Sequence, residues 1–124
     1  MPVQQRITLE RLENHSVDAL RLSGEIDLAN AREVEDALLD QVGESSPGLV
    51  ADLSSLQYVD SAGIRLFVEI SERLRRNRQA FALAVPKDAP ISRTLSIVKL
   101  ELLVPVHQTV ESAAEDVAAS ASSL

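Results

Sequence analysis

Leu49-Val50-Ala51-Asp52-Leu53-Ser54-Ser55-Leu56-Gln57-Tyr58-Val59-Asp60-Ser61-Ala62-Gly63-Ile64-Arg65-Leu66-Phe67 is the stretch that decides the fold of this chain. The apolar run Leu49, Val50, Ala51, Leu53, preceded by Pro47-Gly48, predicts a buried strand. A short polar connection follows. At Asp60-Ser61-Ala62-Gly63 the chain predicts a helix at once. Phe67, Ile70 and Leu74 recur at helical spacing, with Arg65, Glu69, Glu72, Arg73 and Arg76 on the other side. Ser61 therefore falls at, or one residue from, the first free N–H groups of a helix. A hydroxyl caps well there, and a phosphate would meet donors and a favourable dipole. Asp60 is an equal candidate for the cap, which would leave Ser61 as a spare hydroxyl. Gly63 costs about 1 kcal/mol relative to Ala in a helix interior. Its presence there predicts close approach of another backbone or of a partner.

Working outward, Ile7-Thr8-Leu9-Glu10 alternates as a half-buried strand does. A turn at Glu13–Ser16 joins it to a second strand, Val17–Ser23, in an antiparallel hairpin closed by Gly24. Asp27 then caps a helix from about Leu28 to Val42, with Ala31, Val34, Leu38 and Val42 inward. After the central strand and helix, Ala80–Val85 is a buried strand. Pro86–Pro90 leads into a helix capped near Asp88 or Ala89, with Ile91, Leu95 and Val98 as its stripe. Leu102–Val106 is the last strand, and Thr109 caps a final helix. Ala118 to Leu124 has nothing to bury and reads as a flexible tail. The order is β-β-α-β-α-β-α-β-α. It predicts one α/β domain over residues 1–124, core about 7–117, with a mixed, mostly parallel sheet of about five strands and four helices. The turns at Asp27 and at Asp60-Ser61 both leave the carboxyl ends of strands, where open α/β folds place their working groups.

Composition narrows the function classes. A net charge of −7 opposes binding to a phosphate backbone, so no direct nucleic-acid partner is expected. Aromatic residues are confined to Tyr58, Phe67 and Phe81, too few for a base-stacking platform. The absence of cysteine removes disulfide, thiolate and Cys-metal chemistry. The first residues lack the apolar run of a signal peptide, and no segment has the roughly 20 apolar residues of a membrane span. These features predict a cytoplasmic protein without membrane insertion. His15 and His107 read as surface residues, with no metal-ligand spacing. Ser61 is not in a Gly-x-Ser-x-Gly context and there is no phosphate-binding Gly-Lys loop. No catalytic residue, metal or cofactor is expected. Ser54 and Ser55 are weaker phosphate acceptors than Ser61, since they sit where they satisfy local backbone groups.

Two elements carry a resemblance to a known family. Asp52-Leu53-Ser54, then Asp60-Ser61-Ala62-Gly63-Ile64, resembles the signature of the STAS family, the anti-sigma factor antagonists, in which Asp-Leu-Ser precedes Asp-Ser-Ser/Thr-Gly-Leu/Ile. Leu22-Ser23-Gly24-Glu25-Ile26-Asp27 resembles the family's Gly-Glu-Leu/Ile-Asp turn. Ala62 departs from the usual Ser or Thr and leaves Ser61 as the motif's single acceptor. The resemblance implies a regulatory protein rather than an enzyme. Its unphosphorylated form would bind an anti-sigma factor serine kinase and release the sigma factor. Phosphorylation of Ser61 would switch it off, and a serine phosphatase would reverse that. Glu25, Asp27, Asp60, Ser61, Ala62, Gly63 and Ile64 would form the contact patch on a monomer or weak dimer. Alternatives from the same family are a scaffold subunit of a stress-signalling complex and an accessory subunit of a transporter ATPase.

Overall fold

A computed structural model describes the backbone of residues 2–4 and 6–121 and the side chains of residues 6–121. The elements are β1 (Pro2–Gln4), β2 (Ile7–Leu12), β3 (Asp18–Ile26), α1 (Ala31–Asp40), β4 (Gly48–Val59), α2 (Ser61–Arg76), β5 (Ala80–Ala84), α3 (Ser92–Ile97), β6 (Val106–His107) and α4 (Val110–Ala121). They form one sheet in the order β1-β2-β3-β4-β5-β6. β1–β2 and β2–β3 are antiparallel, and every pairing from β3 to β6 is parallel. The expected mixed, mostly parallel α/β sheet with four helices is present. β1 adds a short strand at one edge that the sequence pattern does not reveal.

Successive parallel crossovers of one hand place their helices on one face of the sheet. The larger core holds Val34 and Leu38 of α1, Phe67 and Ile70 of α2, and Leu95 of α3 against Leu49, Ala51 and Leu53 of β4. Val50, Ala19, Ala82 and Ala84 point to the other face, which is covered by Ala113, Ala114 and Val117 of α4. Burial on both faces is why β4 opens as an unbroken apolar run. Asp52 is the polar residue in that run. It is 4% exposed, and Arg21 Nε donates to its Oδ2 at 3.0 Å while Ser54 N–H donates to its Oδ1 at 2.9 Å.

β4 does not end at Leu53, as expected, but continues to Val59. Its register against β3 slips twice: Arg21 and Ser23 pair with Asp52 and Ser55, and Gly24 and Glu25 pair with Leu56 and Tyr58. Each slip inserts one extra residue on β4, as a β-bulge does. Inward positions therefore recur every third residue, at Leu53, Leu56 and Val59, all buried. β3 likewise runs past Gly24 to Ile26. Gly24 has φ +115°, and a Cβ there would lie 2.0 Å from the Arg6 carbonyl oxygen. Glu25 N–H donates to that same oxygen at 2.9 Å.

The third crossover departs furthest from expectation. α3 begins at Ser92 after tight turns from Pro86 and Ala89, so neither Asp88 nor Ala89 caps it. Val98 is 49% exposed rather than inward. Leu100–Leu102 is a single 3-10 turn entered through Lys99 at φ 56°. Only Leu100 and Val104 of this apolar stretch are buried, and the last strand is confined to Val106–His107. Thr109 does cap α4, accepting from Ser112 N–H at 3.0 Å. α4 extends through Ala121, because Ala118 packs on the second core and the Ser120 hydroxyl donates to Asp116 at 2.9 Å. The rest of the expected tail, residues 122–124, lies outside the described residues. His107 is half-buried rather than a surface residue. Its Nδ1 meets the Ser112 hydroxyl at 2.8 Å and its Nε2 meets Asp116 Oδ2 at 2.7 Å.

Two predictions follow from these contacts. Gly24→Ala forces a side chain into the Arg6 backbone at a positive φ and lowers unfolding free energy by about 1–3 kcal/mol in urea titration. Asp116 is held below the usual carboxylate range by the hydrogen bond from His107, against the opposing effect of burial. Its stabilising contribution is complete above the unfolded carboxylate pKa and is lost as pH falls through its lower folded value. Asp116→Asn should flatten the acid limb of the melting-temperature profile below about pH 4; an unchanged limb removes the contribution.

Candidate functional site

β3 and β4 end side by side, with Asp60 N–H donating to the Ile26 carbonyl at 3.2 Å. Asp60 is extended (φ −101°, ψ −170°) and is the N-cap of α2. Its Oδ1 accepts from Ala62 N–H at 2.9 Å and Gly63 N–H at 3.1 Å. Its Oδ2 accepts from Leu28 N–H at 3.1 Å, in the turn after β3. One carboxylate thus sets both the start of α2 and its position against the β3–α1 turn. Ser61 is consequently the first helical residue and not the cap. It is exposed, and its hydroxyl has no hydrogen bond to the described residues.

Gly63 lies beneath Ser61 and is buried. A Cβ there would come within 2.2 Å of Val59 Cγ2 and 3.2 Å of Ile26 Cγ2. The close approach that its presence predicts is therefore internal: α2 rests directly on the ends of β3 and β4. Ala62 is half-buried, and Ile64 is half-buried against the large core.

Asp27 does not cap α1. Asn30 occupies that position, and Asp27 opens the turn before it, with its carbonyl accepting from Ala31 N–H at 2.9 Å. Asn30 is fully buried and ties the turn together. Its Oδ1 accepts from Asp27 N–H at 2.9 Å, and its Nδ2 donates to the Glu25 carbonyl at 2.9 Å. Asp27 Oδ1 accepts from Ala29 N–H at 2.9 Å, and Arg6 Nη2 donates to Asp27 Oδ2 at 2.6 Å and to Glu25 Oε1 at 3.1 Å. The Arg6 guanidinium holds the Asp27 carboxyl below the usual carboxylate range. Asp27, Asp60, Ser61 and Ala62 thus gather at one end of the sheet. Glu25 faces outward beside Arg6, while Gly63 and Ile64 support from below. Arg6 is the residue that sequence reasoning missed, because twenty-one positions separate it from Asp27.

A groove of about 580 Å³ runs from this turn between α1 and α2. Leu28 and Ser61 stand at its upper end, and Leu28 is 81% exposed. Arg73 Nη1 donates to Glu35 Oε2 at 3.0 Å across the groove and so ties α2 to α1. Burial pushes the Glu35 carboxyl above its ordinary value, and Glu69 nearby pushes the same way while Arg73 opposes. Among the described residues no cluster of three metal-ligating side chains occurs, and no helix is long and apolar enough to cross a membrane.

The chain was compared with known proteins. The STAS domain model matches residues 7–113. The anti-sigma-F factor antagonist RsfB of Mycobacterium tuberculosis is 31% identical over 74 residues, which span 60% of this chain and 61% of that protein. The chain therefore aligns with less than two thirds of that relative's length. An anti-sigma-B factor antagonist of Staphylococcus epidermidis is 26% identical over 106 residues, covering 85% of this chain and 96% of its own. The crystal structure of an anti-sigma factor antagonist from Mycobacterium paratuberculosis superposes with a TM-score of 0.75 at 27% identity, covering 94% of this chain and 97% of that one. With the family model spanning nearly the whole sheet and its helices, the chain belongs to the STAS domain family.

Proposed function

We propose that this protein is an anti-sigma factor antagonist whose unphosphorylated form binds an anti-sigma factor serine kinase and so frees a sigma factor. The observation that carries the reading is the Ser61 hydroxyl: exposed, without a hydrogen bond to the described residues, and fixed at the first turn of α2 by the Asp60 cap. The names of the relatives at 31% and 26% identity point the same way. Exposed Leu28 and the half-buried Ala62 beside it supply a mixed apolar surface for docking. Acidity of the whole chain favours fast encounter with a basic partner.

Phosphorylation ends the contact. The kinase transfers the γ-phosphoryl of its ATP to Ser61 Oγ. The new O–P bond forms as the bond to ADP breaks, and the hydroxyl proton is lost. The product carries about −1.5 to −2 charge at pH 7 in a face matched to a neutral hydroxyl. A serine phosphatase restores the alcohol by hydrolysis. The protein itself contributes a substrate hydroxyl and a docking surface, with no catalytic group or cofactor of its own. Asp27, held by Arg6, serves the same face, either as a contact or by positioning the turn for transfer.

Mixing the protein with candidate anti-sigma kinases, ATP and Mg²⁺, followed by intact mass and peptide mapping, should place one phosphoryl group on Ser61. Ser61→Ala should bind the kinase with or without ATP. Ser61→Glu should bind at least tenfold more weakly, a loss of about 1.4 kcal/mol; equal affinities for the two variants reject the charge mechanism. Asp27→Ala should reduce phosphorylation or kinase affinity with little change in melting temperature. A large drop in melting temperature with unchanged phosphorylation assigns Asp27 a structural role only.

A further inference from the structure

Two arginines flank Ser61 without partners. Arg65 lies one helical turn after Ser61 on α2, a spacing that places both side chains on the same face. Arg32 stands on α1 across the groove, and Ser61, Arg32 and Arg65 line the same cavity. Among the described residues neither arginine has a hydrogen-bond or ion-pair partner. Arg6, Arg11, Arg21 and Arg73 are each bonded to a carboxylate. Arg75, Arg76, Arg78 and Arg93 also lack a partner among the described residues, but only Arg32 and Arg65 of the uncommitted arginines line the groove at Ser61. Among the described residues none of the acids lining the groove, Glu35, Asp36, Asp60 and Glu69, is bonded to these two. Both oxygens of Asp60 are taken by backbone N–H groups, and Glu35 is held by Arg73. Asp36 lines the same groove and is not bonded to Arg32.

We propose that Arg32 and Arg65 form a clamp for the phosphate on Ser61, holding the modified residue within the chain's own groove. This rests on the reading of Ser61 as the acceptor. A phosphate there would meet a guanidinium from each helix, and guanidinium forks match phosphate oxygens in shape as well as charge. The Ser61 N–H adds a third donor. Asp60 takes the N–H groups of Ala62 and Gly63, and the first helical N–H has no intrahelical acceptor. The α2 dipole favours the same charge. In a chain of net charge −7, two uncommitted cations beside a lone free hydroxyl are an anion site prepared before the anion arrives.

The clamp gives the switch a second action. Before phosphorylation Arg32 and Arg65 are offered to whatever docks at this end of the groove. Afterwards they are turned inward, so an acidic group of the partner at this point loses two cationic contacts and meets new negative charge, whatever the sign of the partner's net charge.

The test installs phosphoserine at position 61 by genetic encoding, so no kinase is involved, and follows the second ionisation of the phosphate by ³¹P NMR. A free phosphoserine titrates near pH 6. In the intact protein the midpoint should lie lower by about half a pH unit or more relative to the Arg32→Gln/Arg65→Gln protein, the scale expected for partly screened charge pairs. Arg65→Lys should keep much of the shift, and Arg65→Glu should raise the midpoint above that of Arg65→Gln, both with Arg32 intact. Both arginines are free surface groups, and circular dichroism of each variant checks the fold. Identical midpoints in the intact and double Gln proteins overturn the clamp. A kinase that fails to modify Ser61 while the midpoint shift is present rejects the partner-switching reading and leaves the clamp standing.

Discussion

The carboxylate of Asp60 is the contact on which this site depends. It joins three backbone N–H groups from two segments: Ala62 and Gly63 at the start of α2, and Leu28 in the turn leaving β3. Helix starts and strand-end turns are both rich in unsatisfied donors. One ionised group accepting from both satisfies them together and fixes their separation. Charged hydrogen bonds of this type are about twice as strong as neutral ones. The result is that Ser61 is presented outward by a rigid frame, with Gly63 and the buried strand ends of Ile26 and Val59 packed beneath it.

The frame extends to the N-terminal end of the sheet. Gly24 admits the Arg6 carbonyl at a distance no side chain would permit, and Arg6 can then reach over to Asp27. Buried Asn30 fixes the same turn from inside, linking Asp27 N–H to the Glu25 carbonyl. The turn is therefore held on three sides: by Arg6 from the edge strands, by Asn30 from the core and by Asp60 from α2. Asp27 sits at the junction, so its carboxylate is oriented by Arg6, far from it in the chain, and by Ala29 N–H beside it.

How much of this was legible in the sequence follows from which interactions are local. The Asp60-Ser61 helix start could be read because a cap and its helix are neighbours, and the β2–β3 hairpin because the connection between its two strands is short. The second half of β4 could not. Two bulges turned its inward period from two to three, so Leu56 and Val59 looked like residues of a polar connection. The last strand lies elsewhere because Leu102-Leu103 is apolar without being buried: the two are 74% and 65% exposed. An apolar run records composition, and only the packing of Leu100 and Val104 reveals that the segment turns rather than extends. Asp27 was read as a cap because it is a good one by type. Asn30 takes the position instead, its buried side chain bonded back to Asp27 N–H and the Glu25 carbonyl, three and five residues earlier in the same turn. Arg6 and Arg32 are not legible in the sequence because each stands far along the chain from the residue it faces, whereas the four-residue step from Ser61 to Arg65 is local.

A modification at this point can act on a partner without acting on the fold, and magnitudes show why. A phosphate at the first turn of a helix gains about 0.3–1 kcal/mol from the dipole at an exposed site. Such a term is small beside the 5–15 kcal/mol that holds a domain together. It also has the stabilising sign. Among the described residues the Ser61 hydroxyl has no hydrogen bond for esterification to break, and the core below it is closed by Gly63, Val59 and Ile26. A docked surface has no such tolerance, since about 1.4 kcal/mol of lost binding is already a factor of ten. The same charge is thus nearly neutral for the scaffold and decisive for the complex. That asymmetry requires the hydroxyl to sit outside the hydrogen-bond network that positions it, which is the arrangement produced when Asp60, and not Ser61, takes the cap.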